Sequence, residues 1–265
     1  MNGATLDVNA IRYPGEKGAF GVLLVGSFLT LAAFVVVLIL APQAGLVILF
    51  YAGLLLVVSW LAKVLAMASV RGHGIRVTEN QYPAIHEYAR HFAERLQLKK
   101  LPEVYVIQST LMNAFATKVI GRRYVVLYSH LVDAALETGD YDEVAMILGH
   151  EMAHHAAGHV RWHAFLTLAF WLPFLHSFWS RRAEYTCDRA GMLLVNKLQP
   201  SLQGIVKLAV GRKLASSINL AALRQQKDQV SAEIGPKIVE IFSTHPLTIK
   251  RVVAMEEFAQ AGSLR

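Results

Sequence analysis

The chain has 265 residues, of which 54% are hydrophobic and only 17% charged, below the roughly 25% charged of an ordinary soluble domain. The length allows one sizeable domain or two small ones. The formal net charge of +7 comes without any nucleic-acid recognition motif, so it reads as a surface held against anionic lipid headgroups, and the single cysteine excludes an intrachain disulfide.

Residues 1–18 form a short N-terminal segment. From Gly18 to Ala62 there follow 45 residues without one Asp, Glu, Lys or Arg. As a single straight helix this run would extend roughly 68 Å, about twice the apolar thickness of a bilayer. It must fold back. The stretch "APQAG" (Ala41 to Gly45) supplies its only turn chemistry, so the sequence predicts a transmembrane hairpin over 19–70, with helices near 19–41 and 45–68. A cleaved signal peptide has a much shorter apolar stretch. Arg12 and Lys17 precede the hairpin, Lys63, Arg71 and Arg76 end or follow it, and the connecting loop is uncharged. That asymmetry predicts both termini, and the domain beyond, on the cytoplasmic side of a bacterial-type inner or plasma membrane.

Residues 71–265 are of mixed composition. Tyr82 to Leu98 carry apolar residues at helical spacing, while "EVYVI" (Glu103 to Ile107) and "RYVVLYS" (Arg123 to Ser129) are β-branched and aromatic, as strands are. "MNAFATKVIG", between them, reads as another short strand ending at Gly121. Asp140, three residues before Glu143, reads as a capping box opening a long helix. After Ser180 the pattern is helical, broken near Pro200, Gly235 and Pro246. The fold class is therefore mainly α with a small β-sheet, an α+β domain attached to the membrane hairpin.

The long helix contains "HEMAH". His150 and His154 are four residues apart and project from one helix face, a geometry suited to two corners of a tetrahedral zinc site. Glu151 sits beside that face as general base, completing the H-E-x-x-H pattern. A catalytic zinc takes a third protein ligand and keeps one position open. "SRRAEYTCDRAG" offers Glu184 for that ligand. Asp188, one turn on, is placed to accept the free ring N–H of a zinc histidine. His155 and His159, read as part of the same helix, face elsewhere and are assigned to packing or hydrogen bonding. Cys187 is assigned to packing.

Between the two motifs lies Trp162 to Ser180, 19 residues without a charge. By hydropathy it would pass for a third membrane span. Ligands on both sides of it must reach one ion, so it is predicted not to cross. The expectation is a helix or short hairpin broken near Pro173, resting in the interface or covering the first two helices.

"HEMAH" followed by "SRRAEYTCDRAG", with "NAFAT" before and "THPLTIKR" after, resembles the HtpX-like integral-membrane zinc metalloproteases. These are gluzincins related to the CAAX prenyl endopeptidase. The resemblance implies a zincin-like protease domain with one zinc per chain, and a peptide substrate lying extended along Asn113, Ala114 and Phe115. It also implies His245 and Arg251 near the active site, with His245 as a candidate partner of the oxyanion. Only 29 residues separate His154 from Glu184, too few for the extra pair of spans that HtpX carries there. The function implied is a hydrolase, an endopeptidase acting on membrane or misfolded proteins. The alternatives are a dedicated processing protease of the prenyl-peptide type and a catalytically silent zinc-containing membrane adaptor.

Overall fold

The computed structural model describes residues 4–109, 113–215 and 217–263. Two helices open the chain, α1 (Glu16–Leu40) and α2 (Pro42–His73), joined by Ala41 alone. The turn is tighter than the sequence suggested. Proline lacks an amide donor and its fixed φ suits the first helical position, so Pro42 starts α2 instead of lengthening the loop. Both helices are long and apolar enough to cross a membrane. Their apolar side chains are bare on most of the circumference, with only Gly45 and Met67 buried along α2. A helix of a water-soluble domain would bury one stripe; all-round apolar exposure is the pattern of a lipid-facing hairpin.

Four strands form one sheet in the order β1 (Ile75–Arg76), β2 (Glu103–Ile107), β4 (Arg122–Tyr128), β3 (Ala114–Val119). β2 and β4 run parallel, and β3 pairs antiparallel with β4 from Ala114–Leu127 to Val119–Arg122. The expected third strand thus forms, and among the described residues its other edge is unpaired; Met112, where the expectation began, lies outside the described residues. Val125, Val126 and Leu127 of β4 are fully buried. Val125 and Leu127 meet α3 (Pro83–Arg95), α4 (Ser129–Thr138), and α5 (Asp142–Ala156) in the main core around Phe92, Leu131, Ile147, Leu148 and Met152.

The helical remainder comprises α6 (His159–Leu166), α7 (Pro173–Val195), α8 (Leu198–Val210), α9 (Arg212–Ala215), α10 (Leu220–Ala232), α11 (Ile234–Phe242) and α12 (Thr248–Phe258). One local expectation is corrected. Asp140 Oδ1 accepts the Asp142 amide at 3.0 Å and Glu143 pairs with Lys207, so no reciprocal capping box forms. The helix breaks expected near Pro200, Gly235 and Pro246 are present, between α7 and α8, between α10 and α11, and between α11 and α12. Pro200 and Gly235 themselves lie inside the first turns of α8 and α11, and Pro246 stands before α12.

The uncharged run at 162–180 folds as a hairpin. α6 tightens into a 3-10 turn (Thr167–Ala169), and α7 starts at Pro173. Leu166, Ala169 and Trp179 pack on Ala19 and Leu23 of α1. Two hydroxyls of α1 reach the turn: Ser27 Oγ shares its proton between Leu23 O at 2.9 Å and Phe165 O at 3.0 Å, and Thr30 Oγ1 between Gly26 O at 3.0 Å and Leu168 O at 2.9 Å. In apolar surroundings those carbonyls would each cost several kcal/mol if left bare, roughly. The segment covers α1.

Candidate metal centre

α5 and α7 cross at Gly191. A Cβ there would lie 2.6 Å from the Met146 carbonyl oxygen, so only glycine lets the two backbones approach this closely. The crossing brings the side chains of both sequence motifs together. His150 Nε2 is 3.4 Å from Glu184 Oε2, His154 Nε2 is 3.3 Å from Glu184 Oε1, and the two imidazole nitrogens are 3.3 Å apart. Tetrahedral bonds of about 2.0–2.1 Å require donors about 3.3 Å apart. The two imidazole nitrogens and the two carboxylate oxygens that face them therefore enclose a site sized for a small cation, and the residues fit the metal that the sequence implies.

The charges around it agree. Glu184 is buried, which alone would raise its carboxyl, but hydrogen bonds from His150 and His154 hold it well below the usual range. Burial lowers His150, yet Asp188 and Glu184 together push it up to about 10. A cluster that without metal binds a proton this firmly has a standing demand for positive charge.

Asp188 is fully buried on α7, with its Oδ1 2.9 Å from His150 Nδ1, at hydrogen-bonding distance but off the axis of the ring N–H. Arg251 of α12 grips it from the other side, Nε donating to Oδ2 at 2.8 Å and a terminal nitrogen to Oδ1 at 2.6 Å. The expectation for Arg251 was proximity to the active site; the structure puts it there and adds a contact that the sequence could not name. His245 stands at the rim, 67% exposed, with Nε2 3.8 Å from Glu184 Oε1.

These groups floor a cavity of about 390 Å³. Asn113, Ala114, Phe115 and Thr117 line it along β3, and Glu151 lines it from α5. Trp179, Ile205 and Leu208 add apolar surface, and Lys63 of α2 reaches in from the membrane hairpin. Asn113 also folds its own side chain back, Oδ1 accepting the Ala114 amide at 2.8 Å.

The histidines beyond the motif divide in two. His155 behaves as expected: it is buried and stands 3.0 Å from Tyr124 O, and burial pushes it down to about 4, so the neutral ring donates its N–H there. His159 does not. α5 ends at Ala156, Gly158 adopts a left-handed conformation (φ 82°), and His159 opens α6. The expectation that it continued the same helix is overturned. Its Nδ1 lies 3.0 Å from His154 Nδ1, and its Nε2 lies 3.0 Å from Glu16 Oε1. The "AAGH" stretch was the available signal, since a glycine closing a helix commonly takes a left-handed conformation. Cys187 is fully buried; burial and the nearby carboxylates Glu184 and Glu16 hold it as a thiol, with Sγ 3.6 Å from His159 Nδ1.

Comparison with known proteins identifies the family of the chain. The profile of peptidase family M48 matches residues 79–169 and 162–259, together most of the chain. The plastoglobule-localized metallopeptidase 48 of Arabidopsis thaliana chloroplasts is 27% identical over 214 residues, covering 72% of this chain. The chain spans only 61% of that relative's length. A protease HtpX homolog of Thermococcus kodakarensis is 24% identical over 225 residues, 69% of this chain and 76% of the relative. The chain belongs to peptidase family M48, with the fold and the donor set of a membrane-associated metallopeptidase.

Proposed function

We propose that the chain is a zinc-dependent endopeptidase, anchored by α1 and α2, whose cleft faces the cytoplasm and cuts extended stretches of membrane or misfolded proteins. The observation that carries this reading is the convergence of His150, His154 and Glu184 at 3.3–3.4 Å spacing beside Glu151 and an open strand edge. Three protein donors leave a fourth position free, the arrangement of catalytic sites, whereas structural zinc sites close with four. Zinc held there polarises a carbonyl and lowers the pKa of water.

The remaining roles belong to this chain's own side chains. Glu151 takes the proton of the attacking water and returns it to the nitrogen that leaves when the C–N bond breaks. Asp188, held by Arg251, fixes the ring of His150 so that Nε2 faces the site. His245 at the rim is placed to hydrogen-bond the oxyanion. A substrate strand adding to β3 gains main-chain hydrogen bonds, which tolerate many sequences and suit a clearance role better than a single dedicated substrate. The basic flanks of the hairpin favour the cytoplasmic orientation. A prenyl-peptide processing role would need a large membrane chamber, and α1 and α2 enclose none. A silent adaptor would have no use for Glu151 in the cleft.

Purified in detergent, the protein is expected to hold one zinc per chain, stripped by His150→Ala, His154→Ala or Glu184→Ala. Glu151→Gln should keep the metal and lose roughly 10²- to 10⁴-fold in hydrolysis of an unfolded test protein. Wild-type cleavage by Glu151→Gln would refute the mechanism. The same variant, used to trap substrates in native membranes, tests the clearance role; capture of one folded protein alone would refute it.

A further inference from the structure

His154 presents Nε2 to Glu184, and its other nitrogen begins a line of polar groups that the reaction leaves unused. That nitrogen meets His159 Nδ1 at 3.0 Å, and His159 Nε2 meets Glu16 Oε1 at 3.0 Å. Glu16 is the first residue of α1 and is fully buried. Its second oxygen accepts the hydroxyl of Thr186 on α7, and Arg12 pairs with it while donating to Ala157 O at 2.8 Å. The Tyr13 amide donates to Thr186 Oγ1 at 2.8 Å, and the Tyr13 ring stacks on Tyr185 with centroids 4.4 Å apart. A carboxylate is thus carried from the membrane helix to the back of the metal-bearing helices and fixed there from three sides.

The direction of this line follows from donor and acceptor types. An ionised carboxylate only accepts, so His159 Nε2 carries the proton shared with Glu16. In a neutral imidazole the other nitrogen is then the acceptor, so His159 Nδ1 receives the N–H of His154 Nδ1. His154 is left with a bare lone pair on Nε2, the form a metal requires.

We propose that Glu16 is a positioning residue for the metal site: through His159 it sets the tautomer and ring orientation of His154, making the start of the membrane helix part of the metal centre. This rests on the zinc reading above. His154, His159 and Cys187 also lie close enough to hold an ion of their own. The engagement of His159 Nε2 by Glu16 and of its Nδ1 by His154 favours the hydrogen-bonded line over such a second site.

The test uses the full chain in detergent, with zinc affinity read by chelator competition and the ligand field by the visible spectrum of the cobalt-loaded protein. Glu16→Leu is expected to weaken zinc binding roughly 10- to 100-fold and to shift the cobalt spectrum. Glu16→Gln should restore both to within a few-fold of wild type, because its amide oxygen still accepts from His159. His159→Phe, which keeps a ring against Trp179, should match Glu16→Leu, and the double variant should lose no more than either alone. Wild-type affinity and spectrum in both Glu16→Leu and His159→Phe would overturn the proposal. So would failure of Glu16→Gln to rescue, which would point to packing. A thiolate-to-cobalt charge-transfer band would make Cys187 a ligand and overturn it too. Absence of zinc from the wild-type protein would instead defeat the zinc reading itself.

Discussion

Gly191→Ala tests how far the metal centre depends on the closeness of α5 and α7. The added Cβ would stand 2.6 Å from Met146 O and 3.1 Å from the His150 amide nitrogen, where ordinary contact begins at 3.4 Å. Both neighbours are backbone, so no side chain can swing aside. Relief requires the helices to part by about 0.8 Å in an interior packed like a crystal. Metal–ligand distances tolerate only about 0.2 Å. Glu184 lies on the same helix as Gly191, about 10 Å away, so even a partial shift carries it off His150 and His154. Overpacking of this kind costs about 1–3 kcal/mol in stability. The expected result is a zinc affinity lowered at least tenfold, read by chelator competition, with a matching loss of peptide hydrolysis. Gly53→Ala on α2, where a Cβ meets nothing within 4 Å, is the control. Wild-type zinc affinity in Gly191→Ala would refute the claim that backbone contact at this crossing sets the site.

Three further outcomes are expected. Arg251→Met leaves the buried Asp188 without its guanidinium partner, with only His150 beside it, and should cost about 3–5 kcal/mol in thermal or denaturant unfolding; adding Asp188→Asn should recover much of that, and a double variant no more stable than the single would refute the pairing. His155 stays neutral because burial lowers it from 6.5 to about 4, so its contribution is complete above pH 6.5 and is lost as pH falls toward 4. Between pH 7 and 5 that amounts to about 2 kcal/mol, and His155→Gln should flatten this part of the acid sensitivity; an unchanged pH slope would refute it. A cysteine replacing Gln43 should react with an impermeant thiol reagent added outside the cell, while cysteines replacing Glu143 and Lys197 should not. Labelling at Lys197 with Glu143 protected would establish a third crossing.

Much of the site was legible because its information is local. Helical periodicity alone places His150 beside His154 and Glu184 beside Asp188, and a 45-residue uncharged run can only be a hairpin. What was not legible is either a change of local conformation or a contact across long sequence separation. His159 looked like a continuation of α5 because three alanines and three histidines keep helical composition up to Gly158, where the backbone turns left-handed. Glu16 drew no reading from the sequence, and nothing in residues 1–18 announces a partner 143 positions away. The grip of Arg251 on Asp188 joins α12 to α7, and charge type alone does not choose it from the chain's 26 basic residues.

The reach of the N-terminal segment across the chain has a consequence for biosynthesis. Tyr13 bonds to Thr186, 173 residues later, and Arg189 donates to Ile11 O at 3.1 Å. α1 and α2 leave the ribosome well before α7, when the groups that Arg12, Tyr13 and Glu16 bind have not been made. At about 5–20 residues per second the segment waits roughly ten to thirty seconds for α7. During that interval the hairpin is available to insert while Glu184, the last of the three candidate metal donors, does not yet exist. A nascent chain therefore lacks the complete candidate donor set until α7 has been made.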